Sequence, residues 1–66
     1  MTYTEQAQRE WGNEVCFWLN GWYDFEAGRF EIPRRYSERD AQAYRAGYKT
    51  RGDIARGWGR MLTENG

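Results

Sequence analysis

Residues 18–48 read WLNGWYDFEAGRFEIPRRYSERDAQAYRAGY, and this segment contains one five-residue pattern twice. The pattern is Trp-Leu-Asn-Gly-Trp over residues 18–22 and Tyr-Arg-Ala-Gly-Tyr over residues 44–48. In a helix, each copy places two rings one turn apart, with a glycine beside the second ring. Because glycine has no side chain, a neighbouring helix can approach it closely. The pattern therefore predicts a packing contact between helices. A weaker third copy covers residues 54–58.

The segment between the first two copies carries the signals for a loop. Gly28 follows an amphipathic run and is typical of a helix C-cap, and Pro33 prevents the helix from resuming. Ser37, with an acidic residue three positions later, is close to a capping box at the start of a second helix. The sequence therefore predicts a single domain over 1–66, with helix 1 over about 4–27, a loop over 28–36 and helix 2 over about 38–63.

Apolar residues recur at helical spacing on both sides of this loop. In the first helix they span about 80° of arc at 100° per residue, which indicates one buried stripe. The second helix has a similar stripe, with Arg51 inside it. A break at Gly52–Asp53 would give a short third helix over 54–63. The stripes comprise Ala7, Trp11, Val15, Trp18, Trp22 and Phe25 in helix 1, and Ala41, Tyr44, Tyr48, Ala55, Trp58 and Leu62 in helix 2. The predicted fold is an all-α helical hairpin.

The composition favours a small protein with an aromatic core and an interface. The 66 residues include 4 Trp, 5 Tyr and 3 Phe, and 10 basic residues balance 10 acidic ones. Rings bury a large area at a small cost in rotamer entropy, which suits both a small core and a binding surface. The acidic residues predominate before Pro33 and the basic residues after it. All basic residues except Lys49 are arginines, which are favoured at interfaces.

Several classes of protein are disfavoured by what the sequence lacks. It contains no histidine, which excludes the Ser-His and Cys-His machinery of nucleophilic catalysis. It contains one cysteine, which excludes an internal disulfide and a Cys-rich zinc site. No apolar run approaches the roughly 18 residues of a membrane span, and the first residues do not have the pattern of a signal peptide. We therefore expect a cytoplasmic protein that is not an enzyme and has no cofactor or metal.

The candidate binding residues are aromatic and basic side chains outside the apolar stripes. Aromatic residues that are not needed for the core are candidates for a partner patch, although a bent second helix could also cover them. The most specific candidate cluster is formed by Arg34, Arg35 and Tyr36, because the neighbouring Pro33 restricts their conformation. Basic residues on one face of helix 2 could contact phosphates or an acidic protein, or could pair with the acids of helix 1. The full set is Phe17, Tyr23, Phe30, Arg34, Arg35, Tyr36, Arg45, Lys49, Arg56 and Arg60.

The glycine-aromatic positions also resemble a known family. Gly21-Trp22, Ala27-Gly28-Arg29, a proline before Tyr36, and Tyr44-x-x-Gly47-Tyr48 together resemble bacterial ribosome modulation factor and its small relatives. The similarity covers about residues 18–49. It implies a two-helix fold and binding to the small ribosomal subunit or its rRNA.

Three functions remain open at the level of the sequence. The first is a protein-binding module that inhibits or modulates a larger cellular machine, as phage or prophage inhibitors of host defence or gene expression do (anti-CRISPR proteins are an example). The second is the ribosome-binding function that the family resemblance implies. The third is a structural homodimer without another partner. The expected partner is accordingly a host protein or ribonucleoprotein complex, with rRNA and a second copy of the chain as further possibilities and no membrane.

Overall fold

The computed structural model describes the backbone of residues 2–65 and the side chains of residues 2–57. Three α-helices account for most of the chain. They are α1 (Tyr3–Trp11), α2 (Val15–Glu26) and α3 (Glu38–Asn65), and a short 3₁₀ turn over Gly12–Glu14 connects the first two. No strand occurs within the described backbone. The predicted all-α fold, with two helical segments that pack together on either side of one loop, is confirmed.

The loop lies between 27 and 37 and is bounded by the predicted caps. Gly28 has φ +72°, its amide donates to the carbonyl of Phe25 at 3.0 Å, and the amide of Arg29 donates to the carbonyl of Asp24 at 2.8 Å. This pair of bonds is a Schellman motif. At the start of α3, the amide of Asp40 donates to the Ser37 hydroxyl at 3.1 Å. The capping interpretation of Gly28 and Ser37 is therefore confirmed.

The α3 helix is continuous through Gly52, where the sequence allows a break. It runs for 28 residues and includes both Gly52 and Asp53. A Cβ on Gly52 would lie 3.0 Å from the Phe25 ring, so the glycine allows this ring to lie directly against the helix. A separate third helix over 54–63 is therefore not formed.

The helix that was predicted over about 4–27 is interrupted, and this part of the prediction is corrected. Gly12 has φ +59° and ψ −120°, a conformation that residues with a side chain rarely adopt. Here α1 ends and the chain turns back along α2, so that the Tyr3 and Trp22 rings lie 6.0 Å apart. In a straight helix these residues would be about 28 Å apart at 1.5 Å per residue. The turn allows Ala7 to be buried against α2.

The two copies of the glycine-aromatic pattern form the contact between α2 and α3. A Cβ on Gly47 would overlap the carbonyl oxygen of Trp18 and stand 2.7 Å from its carbonyl carbon. Reciprocally, a Cβ on Gly21 would overlap the carbonyl oxygen of Tyr44 and stand 2.9 Å from its carbonyl carbon. The backbones therefore touch where the helices cross. By contrast, a Cβ on Gly57, in the third copy, would meet nothing within 4 Å.

Ion pairs on either side of this crossing show the relative direction of α2 and α3. Arg39, near the start of α3, pairs with Glu14, and Arg51 pairs with Glu26 at the end of α2, at 3.9 and 3.5 Å. The loop therefore carries the chain back along α2 before α3 begins. Arg51 also lies 5.7 Å from the Trp22 ring centroid, which explains an arginine inside an apolar stripe.

Candidate functional site

Tyr44 holds the loop onto the helices. Its side chain is 1% exposed, and its hydroxyl donates a short hydrogen bond to the Asp24 carboxylate. The same hydroxyl accepts a hydrogen bond from the amide of Glu31 at 3.0 Å. Asp24 also pairs with Arg29 at 3.6 Å. One buried phenol thus connects α3, the end of α2 and the middle of the loop.

The environment of Tyr44 favours its protonated form. Burial, followed by the hydrogen bond to the Asp24 carboxylate, raises the pKa of Tyr44 to about 12. The amide of Glu31 acts in the opposite direction, because it donates to the oxygen that would carry the charge. The phenol is therefore neutral and acts as a structural hydrogen-bond donor.

Phe30 is an exposed ring on a rigid support. Its side chain is 55% exposed, yet its ring centroid lies 4.9 Å from that of Tyr48 and 5.5 Å from that of Tyr44. Both contacts are edge-to-face, which is a favourable geometry for aromatic pairs. Because the Tyr44–Glu31 hydrogen bond fixes the next residue, the ring is held in place before any partner binds.

A tight turn presents the two adjacent arginines of the loop. The amide of Tyr36 donates to the carbonyl of Pro33 at 3.1 Å, so Arg34 and Arg35 occupy the corner of a β-turn. Both side chains are exposed. The Arg35 guanidinium lies 5.9 Å from the centroid of the Tyr36 ring. The restricted conformation predicted from Pro33 is present in this turn.

Tyr36 and Phe17 are packed together and support the turn. Their ring centroids lie 4.6 Å apart in an edge-to-face arrangement, and both residues are half-buried. The Tyr36 hydroxyl accepts a hydrogen bond from the Asn20 side-chain amide at 3.0 Å. The loop, rather than a bent second helix, covers Phe17. Phe17 is therefore part of the support for this surface and is not an exposed anchor.

The predicted basic residues of α3 differ in their surroundings. Arg45 and Lys49 are exposed, and in the sequence each follows one of the two tyrosines against which Phe30 packs. Arg56 is exposed and pairs with Asp53 at 2.6 Å. The side chain of Arg60 lies outside the described residues. Two cations of the predicted stripe are thus exposed and form no ion pair with the described residues, and a third pairs within its own helix.

We group five exposed residues of the loop and of α3 as one candidate surface, which we call the loop–helix surface. It consists of Phe30, Arg34, Arg35, Arg45 and Lys49. Within the part of the chain whose side chains the structure describes, none of its four cations forms an ion pair. Tyr36, Tyr44 and Tyr48 form the aromatic base beneath it.

Tyr23 lies apart from the loop–helix surface. It is 59% exposed and is two residues from Gly21, which faces α3, so it points about 200° away around α2. The structure therefore does not bring Tyr23 together with Phe30. The two most exposed of the predicted aromatic anchors belong to different sides of the molecule.

Sequence reasoning missed two residues that position the helices. Arg39 lies 4.6 Å from the Trp11 ring centroid and donates to the Glu10 carbonyl at 3.4 Å, so it fastens α1 to α3. Tyr3 is 52% exposed and contacts Trp22. The spacing of four residues between Tyr3 and Ala7 could have indicated the role of Tyr3. Nothing in the local sequence distinguishes Arg39 from the other arginines.

Two further properties concern the described residues only. They contain no group of three His, Cys, Asp or Glu side chains that could hold a metal ion. None of their helices combines the length and the apolar character that crossing a membrane requires. Comparisons with protein-family models, curated proteins and solved structures find no match to this chain.

Proposed function

We propose that this chain is a non-catalytic binding module that attaches to a protein of a larger cellular machine and inhibits or modulates it. The observation that carries the proposal is the loop–helix surface, which combines an exposed ring on a rigid base with four exposed cations that form no ion pair among the described residues. Aromatic and arginine side chains dominate the energetics of protein interfaces. A pre-positioned ring also loses little conformational entropy when it is bound.

The mechanism of such a module is steric. Phe30 enters a pocket of the partner, and the guanidinium groups of Arg34 and Arg35 fix the orientation through paired hydrogen bonds to carboxylates. Arg45 and Lys49 add longer-range attraction to an acidic surface, which raises the rate of association. A cytoplasmic phage or prophage inhibitor of host defence or gene expression, of the anti-CRISPR kind, is the finer form of this proposal.

The second candidate function is binding to the small ribosomal subunit or its rRNA. The same four cations favour it, since exposed arginine and lysine side chains can contact phosphates, and an exposed ring can stack on an unpaired base. The resemblance to ribosome modulation factor points the same way. The positions that carry it include Gly21 and Gly47, which form the helix crossing, so the resemblance supports the fold more directly than the partner.

Affinity capture from bacterial lysate, with and without nuclease, separates the two functions. A protein inhibitor retains one nuclease-resistant protein, and the affinity of its complex falls less steeply with salt than that of a complex with nucleic acid. The ribosomal alternative retains small-subunit proteins that are lost after nuclease treatment, and log affinity falls linearly with log salt concentration. Recovery of neither a protein nor a ribosomal particle contradicts both functions and leaves the structural homodimer.

A further inference from the structure

The segment from Tyr3 to Glu26 is compatible with two backbone arrangements. In the structure, α1 turns back at Gly12 and lies along α2. The apolar residues before and after this turn are nevertheless in register for one continuous helix, as the spacing of Ala7, Trp11, Val15 and Trp18 shows. Such agreement with a straight helix is not required by a chain that always turns at Gly12. The apolar pattern is therefore compatible with an extended form as well as with the closed one.

The turn itself depends on one glycine that packs against nothing. Gly12 has φ +59°, and a Cβ at this position would meet no atom within 4 Å. Its role is thus conformational, because only glycine adopts this backbone geometry at little cost. Straightening the chain here needs a change at the 3₁₀ turn of Gly12–Glu14 and no rearrangement of the helix crossing, where Gly21 faces Tyr44 and Gly47 faces Trp18.

The surface of α2 and α3 that α1 covers in the closed form is complementary to the side chains of α1. Ala7 is 3% exposed, the Tyr3 ring lies 6.0 Å from that of Trp22, and Trp11 lies under the Arg39 guanidinium. When the chain straightens, this place becomes vacant and exposes part of the Trp18–Trp22 pair. In the extended form α1 continues the α2 helix, and the side chains of Tyr3, Ala7 and Trp11 lose the α2 and α3 contacts that they make in the closed form. Both the vacant place and the released helix therefore need a partner.

We propose that a second copy of this chain is that partner, and that the protein forms a dimer by exchanging α1. The α1 helix of each copy then occupies the place on α2 and α3 of the other. The second copy fits because its Tyr3, Ala7 and Trp11 are the same side chains that fill the place in the closed form. Exchange of one identical element through a short hinge is a low-cost route to a dimer.

The proposal is tested by Gly12→Ala, with Gly28→Ala as the matched control. Both glycines have positive φ, and a Cβ on either meets nothing within 4 Å, but only Gly12 joins α1 to α2. Because Gly12 has ψ −120° and lies outside the left-handed helical region, alanine there disfavours the turn by at least about tenfold per chain, and a dimer contains two hinges. We expect sedimentation equilibrium to show a dimer dissociation constant about a hundredfold lower for Gly12→Ala than for the unmodified chain, and no such decrease for Gly28→Ala.

Hydrogen exchange identifies the kind of dimer. In the exchanged form, the amides of Gly12–Glu14 join a continuous helix and become protected, while the amides of α1 remain protected. A dimer in which Gly12–Glu14 exchange as fast as in the monomer overturns the proposal. So does a Gly12→Ala chain that remains monomeric to the same extent as Gly28→Ala.

The unmodified chain decides the question if Gly12→Ala fails to fold. Refolding it from denaturant across a series of protein concentrations gives each chain the opportunity to exchange α1 before it closes. We expect a dimer fraction that rises with protein concentration and carries protected Gly12–Glu14 amides. Recovery of monomer alone at every concentration overturns the proposal.

Discussion

Gly47 of α3 lies directly against the main chain of Trp18 in α2: a Cβ on Gly47 would stand 2.7 Å from the Trp18 carbonyl carbon. The contact is between two backbones, so no side-chain movement can make room for a methyl group. This one relationship, repeated between Gly21 and Tyr44, sets the distance between the two main helices. The buried residues Trp18, Ala43 and Tyr44 all lie close to it in sequence.

The first prediction concerns the glycine at the crossing. Gly47→Ala lowers the free energy of unfolding by about 2 kcal/mol or more, because overpacking against a rigid backbone outweighs the gain in helix propensity. Gly57→Ala is the matched control in the same helix, where a Cβ meets nothing within 4 Å. It is expected to raise stability by up to about 1 kcal/mol. Urea denaturation followed by circular dichroism measures both, and a Gly47→Ala chain as stable as Gly57→Ala contradicts the role of the crossing.

The second prediction is that the two glycines at the crossing are energetically coupled. Once Gly47→Ala has forced the helices apart, a second methyl group at Gly21 meets less resistance. The double variant is therefore expected to lose less stability than the sum of the single variants, by about 1 kcal/mol or more. A double-mutant cycle in urea measures this coupling. Simple additivity would show that each glycine acts within its own helix.

The third prediction concerns Tyr44 and pH. Because its folded-state pKa is about 12, above the ordinary value of 10.0, Tyr44 stabilises the fold below pH 10 and this contribution is lost as pH rises from 10 towards 12. Tyr44→Phe removes this part of the pH dependence. It also costs about 1–3 kcal/mol at neutral pH, since Asp24 and the Glu31 amide lose their partner. Thermal unfolding across alkaline pH measures both effects.

A suitable control for Tyr44→Phe is Tyr48→Phe. The Tyr48 hydroxyl forms no hydrogen bond among the described residues, so its removal leaves no buried group without a partner. An equal loss of stability in the two variants would mean that the Tyr44 hydroxyl does not hold the loop.

The fourth prediction concerns the attachment of α1. Arg39→Ala removes the cation–π contact with Trp11, the hydrogen bond to Glu10 and the ion pair with Glu14. Because the side chain is about half exposed, we expect a loss of only about 1 kcal/mol. Hydrogen exchange of the α1 amides should accelerate about fivefold, whereas that of α2 should change little.

Arg9→Ala provides the comparison for the fourth prediction. Arg9 is an exposed arginine of α1 without a hydrogen bond or ion pair to the described residues. It should leave the exchange rates of α1 within the range of the unmodified chain. If Arg9→Ala accelerates exchange as much as Arg39→Ala does, α1 is not held by Arg39.

Much of the fold could be predicted because its signals are local. Gly28 and Ser37 mark their helix ends through bonds to residues within five positions, and the two glycine-aromatic copies mark the faces that meet. The turn at Gly12 could not be predicted, because the apolar spacing across it fits a straight helix equally well. Tertiary contacts favour the bent form: Tyr3 lies against Trp22, Ala7 is buried, and Arg39 contacts Trp11.

The candidate site was predicted less completely, because exposure depends on which segment covers a ring. Phe17 and Phe30 look equivalent in the sequence, since both fall outside the main stripe. The return of the loop along α2 buries Phe17 beneath Tyr36 and places Phe30 on the outside. In the same way, only distances reveal that Arg56 is paired with Asp53, whereas Arg45 has no such partner among the described residues.

The most direct test of the proposed binding surface compares two exposed rings on opposite sides of the molecule. Phe30 and Tyr23 are 55% and 59% exposed, so they are well matched in accessibility. Nuclease-treated lysate is passed over immobilised Phe30→Ala, Tyr23→Ala and the unmodified chain, after circular dichroism has shown that all three are folded. We predict that Phe30→Ala weakens partner binding about thirtyfold, as loss of a central anchor does, and that Tyr23→Ala does not. Full binding by Phe30→Ala together with loss of binding by Tyr23→Ala would contradict the proposed surface.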